Sequence, residues 1–516
     1  MKRHMTLLLA GAVLYACQRP DGGSTGTTVP LDGERYVSYI KTLSSDAFMG
    51  RKPFTPGDSI TVNYLADEFR RIGLEPGNGD SYFQPVPMVE IYAKPAGPMT
   101  FRKGGSAFTL EHSDDVVIGS PRATARIDIP STEVVFAGFG IVAPEYEWND
   151  YAGIDVRGKT VIVLVNDPGF YNKNLFKGDT MTYYGRWTYK FEEAARQGAA
   201  GVLIVHDTEA ASYGWNVVRS SWGGPQLYLE SADGGASRTA FEGWISAAGA
   251  EQLFELVGVG DSLVAAAKKP GFRAVSLGIR TGISLSNAVR KSASSNVVAK
   301  LTGSTRPEEY IVYSAHWDHL GIGDPVDGDS IYNGAIDNAS GVAALLELAH
   351  AFKAAEVPPG RSILFLAVTA EEQGLFGSAY YAENPVYPLS RTVANINIDA
   401  LSPVGPTRDI AVIGLGHSDM DDYAQRTAAR LGRTVVPGGN PSAGSFFRSD
   451  HFSFAKVGVP ALYTGSGKEV LGKDSTTVAA RREAFGSRYH HVSDEYDDSW
   501  DITGMLEDIR FIYDVG

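Results

Sequence analysis

The sequence predicts an α/β fold, a mostly parallel mixed sheet sandwiched by helices, and three observations predict it. Apolar runs of strand length recur through the C-terminal half: SNVVAKL, EYIVYSA, SILFLAVTA, NINIDAL, DIAVIGLG and VPALYTG. They alternate with helical spacing, as in Ser340–Phe352, where Val342, Leu345, Leu346 and Ala349 share one face. Acidic residues and histidines stand where those runs end, at His316, Glu371, Glu372 and Asp399. In open α/β sheets, ligands bind beyond the carboxyl ends of the strands.

Taken in order, the chain of 516 residues is longer than one core usually supports, so two or three domains are expected. Residues 1–17 read as an export signal. Lys2, Arg3 and His4 precede the apolar run MTLLLAGAVLYA, which ends at Cys17, the single cysteine. Leu14-Tyr15-Ala16-Cys17 resembles a bacterial lipobox, which implies lipidation of Cys17 and attachment to the membrane through that lipid alone. Gln18 after it favours the outer membrane by the same resemblance. Ordinary cleavage, giving a periplasmic or secreted chain, is the alternative. Residues 18–32 are rich in Gly, Ser and Thr and read as a flexible tether. With one cysteine, no intrachain disulfide is available.

Residues 33–126 read as the N-terminal part of the main domain. Tyr36, Ile40 and Leu43 recur at helical spacing, as do Tyr64, Leu65, Phe69 and Ile72, with the turn-rich GRKPFTPG between them. Residues 127–285 change texture to strand-like runs punctuated by glycine, with one helix-like piece at Lys190–Gln197. They read as an inserted domain without a ligand constellation; His206 and Asp207 adjoin, but nothing nearby completes a site. Residues 286–516 carry the alternating strands and helices. Ser340 is placed to cap the helix it opens, although Gly341 weakens that start. SILFLAVTA is apolar throughout, as a strand covered on both faces must be. No internal stretch approaches the ~20 apolar residues of a transmembrane helix. The net charge of −14 argues against nucleic acid as a partner.

The candidate chemistry lies in His316 and Asp318 (SAHWDHLG), Asp337 (GAIDNASG), Glu371 and Glu372 (AVTAEEQGLFGS), Asp399 (NINIDAL) and His490 (YHHVSDEYD). Charged groups at the ends of buried strands are costly unless paired or metal-bound. His, Asp and Glu without thiolates suit zinc, cobalt or manganese in a hydrolytic site. Two ions about 3.5–4 Å apart can clamp one water and a scissile carbonyl. A carboxylate must bridge them, and Asp337 is the candidate. Of two adjacent glutamates, one can serve a metal and the other a water.

These motifs, with SDHFSFAKVGVPALY, resemble the co-catalytic zinc aminopeptidases of peptidase family M28, clan MH, from about Leu31 onward. The inserted block, with VVFAGFGIV, VRGKTVIVLVND and AARQGAAGVLIV, looks like a protease-associated domain. The resemblance implies that His316 and Asp399 bind one zinc and Glu372 and His490 the other. Asp337 would bridge both, with a cis peptide to Asn338. Glu371 would be the base, Asp318 would hold the second nitrogen of His316, and Asp494 would be a supporting acid. Between neighbours, the family spacing selects His490 over His491, and the strand end favours His316 over His319. Asp450 and His451 look like site-wall residues; His451 would polarise the substrate carbonyl or make a structural hydrogen bond. Arg448 and Tyr463 are candidates for the substrate pocket.

The expected activity is an aminopeptidase with peptide substrates. A carboxypeptidase or dipeptidase on the same scaffold is the alternative, with Arg448 as a candidate for its carboxylate pocket. Glutaminyl cyclases work with one zinc and receptor-like relatives have degraded ligand positions; the filled two-metal set argues against both.

Overall fold

The computed structural model describes residues 31–516. The expected signal and Cys17 lie outside the described residues. The C-terminal unit is built on strands β1 (Val275–Leu301), β2 (Arg306–His316), β3 (Arg361–Val368), β4 (Thr392–Asn397), β5 (Asp409–Ile413), β6 (Thr434–Gly438) and β7 (Ala461–Ser466). Across the sheet they run β1-β3-β2-β4-β7-β5-β6. The pairs β2–β3, β2–β4, β4–β7 and β5–β6 are parallel, while β1–β3 and β5–β7 are antiparallel. The mostly parallel mixed sheet is the one the apolar runs predict. Every residue of β3 except Arg361 is buried, as its unbroken apolar run requires.

Helices α1 (Gly33–Leu43), α2 (Pro56–Ile72), α3 (Ser340–Lys353), α4 (Phe376–Glu383) and α5 (Thr503–Val515) flank the sheet. One core takes Tyr36 and Ile40 from α1, Leu65 and Phe69 from α2, Leu345 and Leu346 from α3, and Ile509 and Ile512 from α5. Asp32 caps α1 by accepting from the Glu34 and Arg35 amides at 3.0 and 3.1 Å. Arg35 in turn binds the buried Glu347 of α3 with two nitrogens, at 2.8 and 2.7 Å.

The start of α3 differs from the expectation. Ser340 is the first helical residue and not a cap: its hydroxyl donates to the Ile336 carbonyl at 2.7 Å and accepts from the Leu401 amide at 3.1 Å. Asn338 does the capping, its Oδ1 accepting from the amides of Gly341 (3.0 Å) and Ala400 (3.1 Å). A Cβ on residue 341 would collide with that oxygen and with the Ile398 carbonyl. Gly341 is therefore demanded by the cap.

Two further cores belong to the insert. One joins Phe136, Ile162, Leu203 and Phe241; the other joins Val135, Val161, Ile204 and Trp244. The first also contains Met99, Phe101, Leu110, Val116 and Ile118. The boundary drawn at residue 127 is thus too late. Strands Met99–Lys103 and Ser106–Leu110 form a hairpin, Val116–Gly119 pairs with Phe241–Ile245, and all bury their apolar faces in the insert. A two-stranded ribbon, Phe83–Pro95 against β1 from Leu285 to Val297, runs between the two units. The expected helix at Lys190–Gln197 spans Trp187–Arg196. His206 and Asp207 are structural: the imidazole meets the Tyr213 carbonyl at 3.0 Å, and Asp207 caps the short helix Thr208–Ala211.

Candidate metal centre

The three adjacent strands β3, β2 and β4 point their carboxyl ends the same way and deliver the site. His316 is the last residue of β2, Glu371 and Glu372 follow β3, and Asp399 follows β4. Asp337 comes from the turn before α3, and His490 from the turn between helix Ser475–Gly486 and α5. His316 Nε2 lies 3.2 Å from Asp337 Oδ1 and 3.3 Å from Asp399 Oδ1. His490 Nε2 lies 3.3 Å from Asp337 Oδ2 and 2.9 Å from Glu372 Oε2. The two oxygens of Asp337 thus face two different histidines. The Asp337–Asn338 peptide is cis. Ala370, Ala400 and His490, at or beside these side chains, hold left-handed φ values of 54, 58 and 54°. Such conformations in non-glycine residues concentrate at functional sites.

Further acids fix this cluster from behind. Asp494 accepts from the Ile336 and Asp337 amides at 3.0 Å each, and so holds the turn that carries Asp337. Asp318 does not make the expected bond to His316: its carboxylate is 3.9 Å from Nδ1, and the nearer acceptor is its main-chain carbonyl at 3.2 Å. The carboxylate instead accepts from the amides of Glu371 (3.0 Å) and Glu372 (3.4 Å), because β2 and β3 are neighbours and their loops leave the sheet side by side.

Three contributors join the expected residues: His319, set aside in the sequence in favour of His316, and Ser449 and Arg51, which were not singled out. His319, fully buried, places Nδ1 2.7 Å from Glu372 Oε1, opposite the oxygen that faces His490. Ser449 donates to Asp399 Oδ2 at 2.6 Å. Arg51 is buried behind the site, where its guanidinium donates to the carbonyls of Leu43, Trp317, Asn333 and Gly334 at 2.6–2.9 Å. The HWDH spacing was the available signal for His319. Arg51 and Ser449 act on residues distant in sequence, so no local pattern marks them.

Around the cluster, Tyr463 donates to the Asp399 carbonyl at 3.3 Å, and its ring packs on His451 at 4.9 Å. His451 is fully buried, with neither ring nitrogen hydrogen-bonded among the described residues; burial, reinforced by His417, pushes it down to about 3. Asp450 is buried beside the cluster, and burial, with Asp399 adding to it, raises it to about 7. Arg448 lies outside the cluster; it is exposed, donates to the Ala443 carbonyl and covers the Tyr213 ring. His491 turns away to Ser493.

Four carboxylates, Asp337, Glu371, Glu372 and Asp399, surround the imidazoles of His316, His319 and His490. Burial opposes charge on His316, yet Glu371 and Asp399 raise its pKa well above the usual range. His490 is raised to about 10 by Asp337 and Glu372, again against burial. Burial lifts Asp318 to about 8 and raises Glu371. A cluster that must hold protons to coexist is one from which divalent cations displace them. The donors form two sets. Atoms of His316, Glu371 and Asp399 lie within 4.8 Å of one another, and so do atoms of His319, Asp337 and Glu372. The sets differ from the expected ligands in including Glu371 and His319 and in leaving out His490. Oxygen and imidazole donors without thiolate fit zinc, cobalt or manganese.

Residues 296–510 match Peptidase family M28, and every cluster residue named above except Arg51 falls within that span. The chain is similar to the mouse aminopeptidase NAALADL1, 35% identical over 138 residues, which are 25% of this chain and 17% of that one. It is also similar to a probable zinc metalloprotease of Pyricularia oryzae, 45% identical over 89 residues, 17% of each chain. The chain thus spans about a sixth of the length of these relatives. The solved aminopeptidase from Aneurinibacillus sp. strain AM-1 shares the fold, with a TM-score of 0.50 and 20% identity over 94% of this chain and 93% of that one.

Proposed function

We propose that this chain is a zinc exopeptidase, an aminopeptidase that removes N-terminal residues from peptides. The observation that carries this reading is Asp337, whose two oxygens face His316 and His490. The match to Peptidase family M28 and the aminopeptidase and zinc metalloprotease relatives support it. His316 and Asp399 would hold one zinc, Glu372 and His490 the other, and Asp337 both. The bound ions supply Lewis acidity and make a water acidic near neutral pH.

The rest of the chemistry belongs to the chain. Glu371 accepts the proton of the attacking water and returns it to the leaving amine. Its pKa is raised by burial, opposed by His316 and raised further by Asp399 and Glu372, which suits a group that must both take and give a proton. Asp318 fixes the Glu371 and Glu372 backbone, and hence where both carboxylates point. The excess of carboxylates favours a substrate's α-ammonium. We read the insert as a protease-associated domain shaping access to this site. We also infer export, with a lipid on Cys17; a Cys17→Ser chain that stays in the membrane fraction would refute the lipid.

The test is a digest of peptides by the zinc-loaded protein, read by mass spectrometry. Each peptide is offered with a free N-terminus, an acetylated N-terminus or an amidated C-terminus. Stepwise loss from free N-termini, stopped by acetylation and lowered roughly 10²–10⁴-fold in Glu371→Gln, is expected. Loss from the C-terminus would move the assignment to a carboxypeptidase, and no cleavage would remove the exopeptidase reading.

A further inference from the structure

The insert meets the C-terminal unit at a seam. The Met181 amide donates to the Pro441 carbonyl at 3.0 Å, and the Tyr183 ring packs on Phe447 and Phe452 at 5.8 and 5.0 Å. Two arginines stand there, one from each unit. Arg186 is partly buried, and its Nε is sealed from solvent with no hydrogen-bond partner among the described residues. Its Cδ lies beside Gly444, where an added Cβ would sit 3.4 Å from it. Arg448 spends its Nε on the Ala443 carbonyl and lies 5.8 Å over the Tyr213 ring, which leaves its terminal nitrogens for other partners.

Among the described residues, the charge that bears on Arg186 is the second guanidinium; the other groups acting on it are Tyr213 and Tyr183, and no described carboxylate does so. Burial and Arg448 together push Arg186 down to about 10. This happens in a chain with 60 acidic against 46 basic residues, in which acids pair with most buried or half-buried arginines, such as Arg35, Arg238 and Arg433. Two neighbouring guanidiniums without an acid present free planar forks that match a carboxylate.

The seam also adjoins the candidate metal centre. Arg448 is one Cα step, about 3.8 Å, from Ser449, whose hydroxyl binds Asp399. One such step plus an arginine side chain is a span that roughly two to four extended residues cover at about 3.4 Å each. We propose that Arg186 and Arg448 form a carboxylate site that takes the C-terminus of a short peptide whose N-terminus lies at the metal centre. The proposal rests on the exopeptidase reading and deepens it: the substrates are short peptides with free C-termini, and the insert supplies half of their recognition.

The experiment compares kcat/KM for free-acid and C-amidated peptides of two to six residues, in the zinc-loaded wild type and in Arg186→Gln and Arg448→Gln. Far-UV circular dichroism and zinc content check that both variants are folded and loaded. A charge-assisted bidentate contact predicts a free-acid preference of roughly tenfold or more at one short length. That ratio should fall towards one in both variants. Cleavage with no such preference in the wild type overturns the proposal, as does a preference that survives both substitutions. Amidated peptides ending in Glu supply the other source of a carboxylate; a full preference for them overturns the assignment to the terminus. Absence of all cleavage refutes the exopeptidase reading itself, a result distinct from cleavage without preference.

Discussion

Two side chains, His319 and His451, mark what single residues contribute. His319 holds the Glu372 oxygen that does not face His490, and so fixes which oxygen is presented to the second donor set. Truncation in His319→Ala should weaken one of two zinc-binding events by roughly 10–100-fold and spare the other, as loss of an orienting partner does. Isothermal titration of the apo-protein checks this; equal weakening of both events would show that His319 supports the site only through packing. His451 predicts a pH dependence. Its folded pKa is about 3 against an ordinary 6.5, so its contribution to stability is full above pH 6.5 and is lost as the pH falls below it, by about 1.4 kcal/mol per unit. Phenylalanine fits between Phe446 and Tyr463 without titrating. The difference in denaturant stability between wild type and His451→Phe should therefore move in favour of the variant between pH 7 and pH 5.

At the scale of elements, the site is made by parallel neighbours and locked by cross-loop acids. β2 and β3 end together, and Asp318 spans the gap to the amides after β3; Asp494 does the same for the turn before α3. Arg51 secures the other side. Its guanidinium gathers the carbonyls of Trp317, Asn333 and Gly334, which flank the turns bearing His316 and Asp337. Arg51→Met would leave those carbonyls buried without donors and should cost about 3 kcal/mol or more, measured by urea unfolding, with zinc affinity falling too.

The sequence announced the strands and the charged residues at their ends because a fully buried strand must be apolar and its terminal charges stand out against it. It was silent on Arg51, Ser449 and the true role of Asp318, since each acts on a partner brought near only by sheet order. It misassigned the α3 cap for a local reason: Ser340 before a helical pattern looks like a cap, while the Asn338 cap depends on the turn geometry before it. The insert boundary was drawn late because the hairpin at residues 99–110 carries no composition change, only a different partner.

At the scale of the whole molecule, a 27-residue strand, Val275–Leu301, runs from the insert into the main sheet, so the insert is held by backbone pairing and by the seam at Arg186 and Arg448. The central claim is that this cluster is a two-metal site. Zinc titration of the apo-protein tests it most directly, read by calorimetry with proton release followed in two buffers, alongside metal counts after gel filtration. The account predicts two equivalents bound with release of protons, and loss of both tight sites in Asp337→Ala, since that carboxylate faces both histidines. A single equivalent, or two that survive Asp337→Ala unchanged, would contradict it.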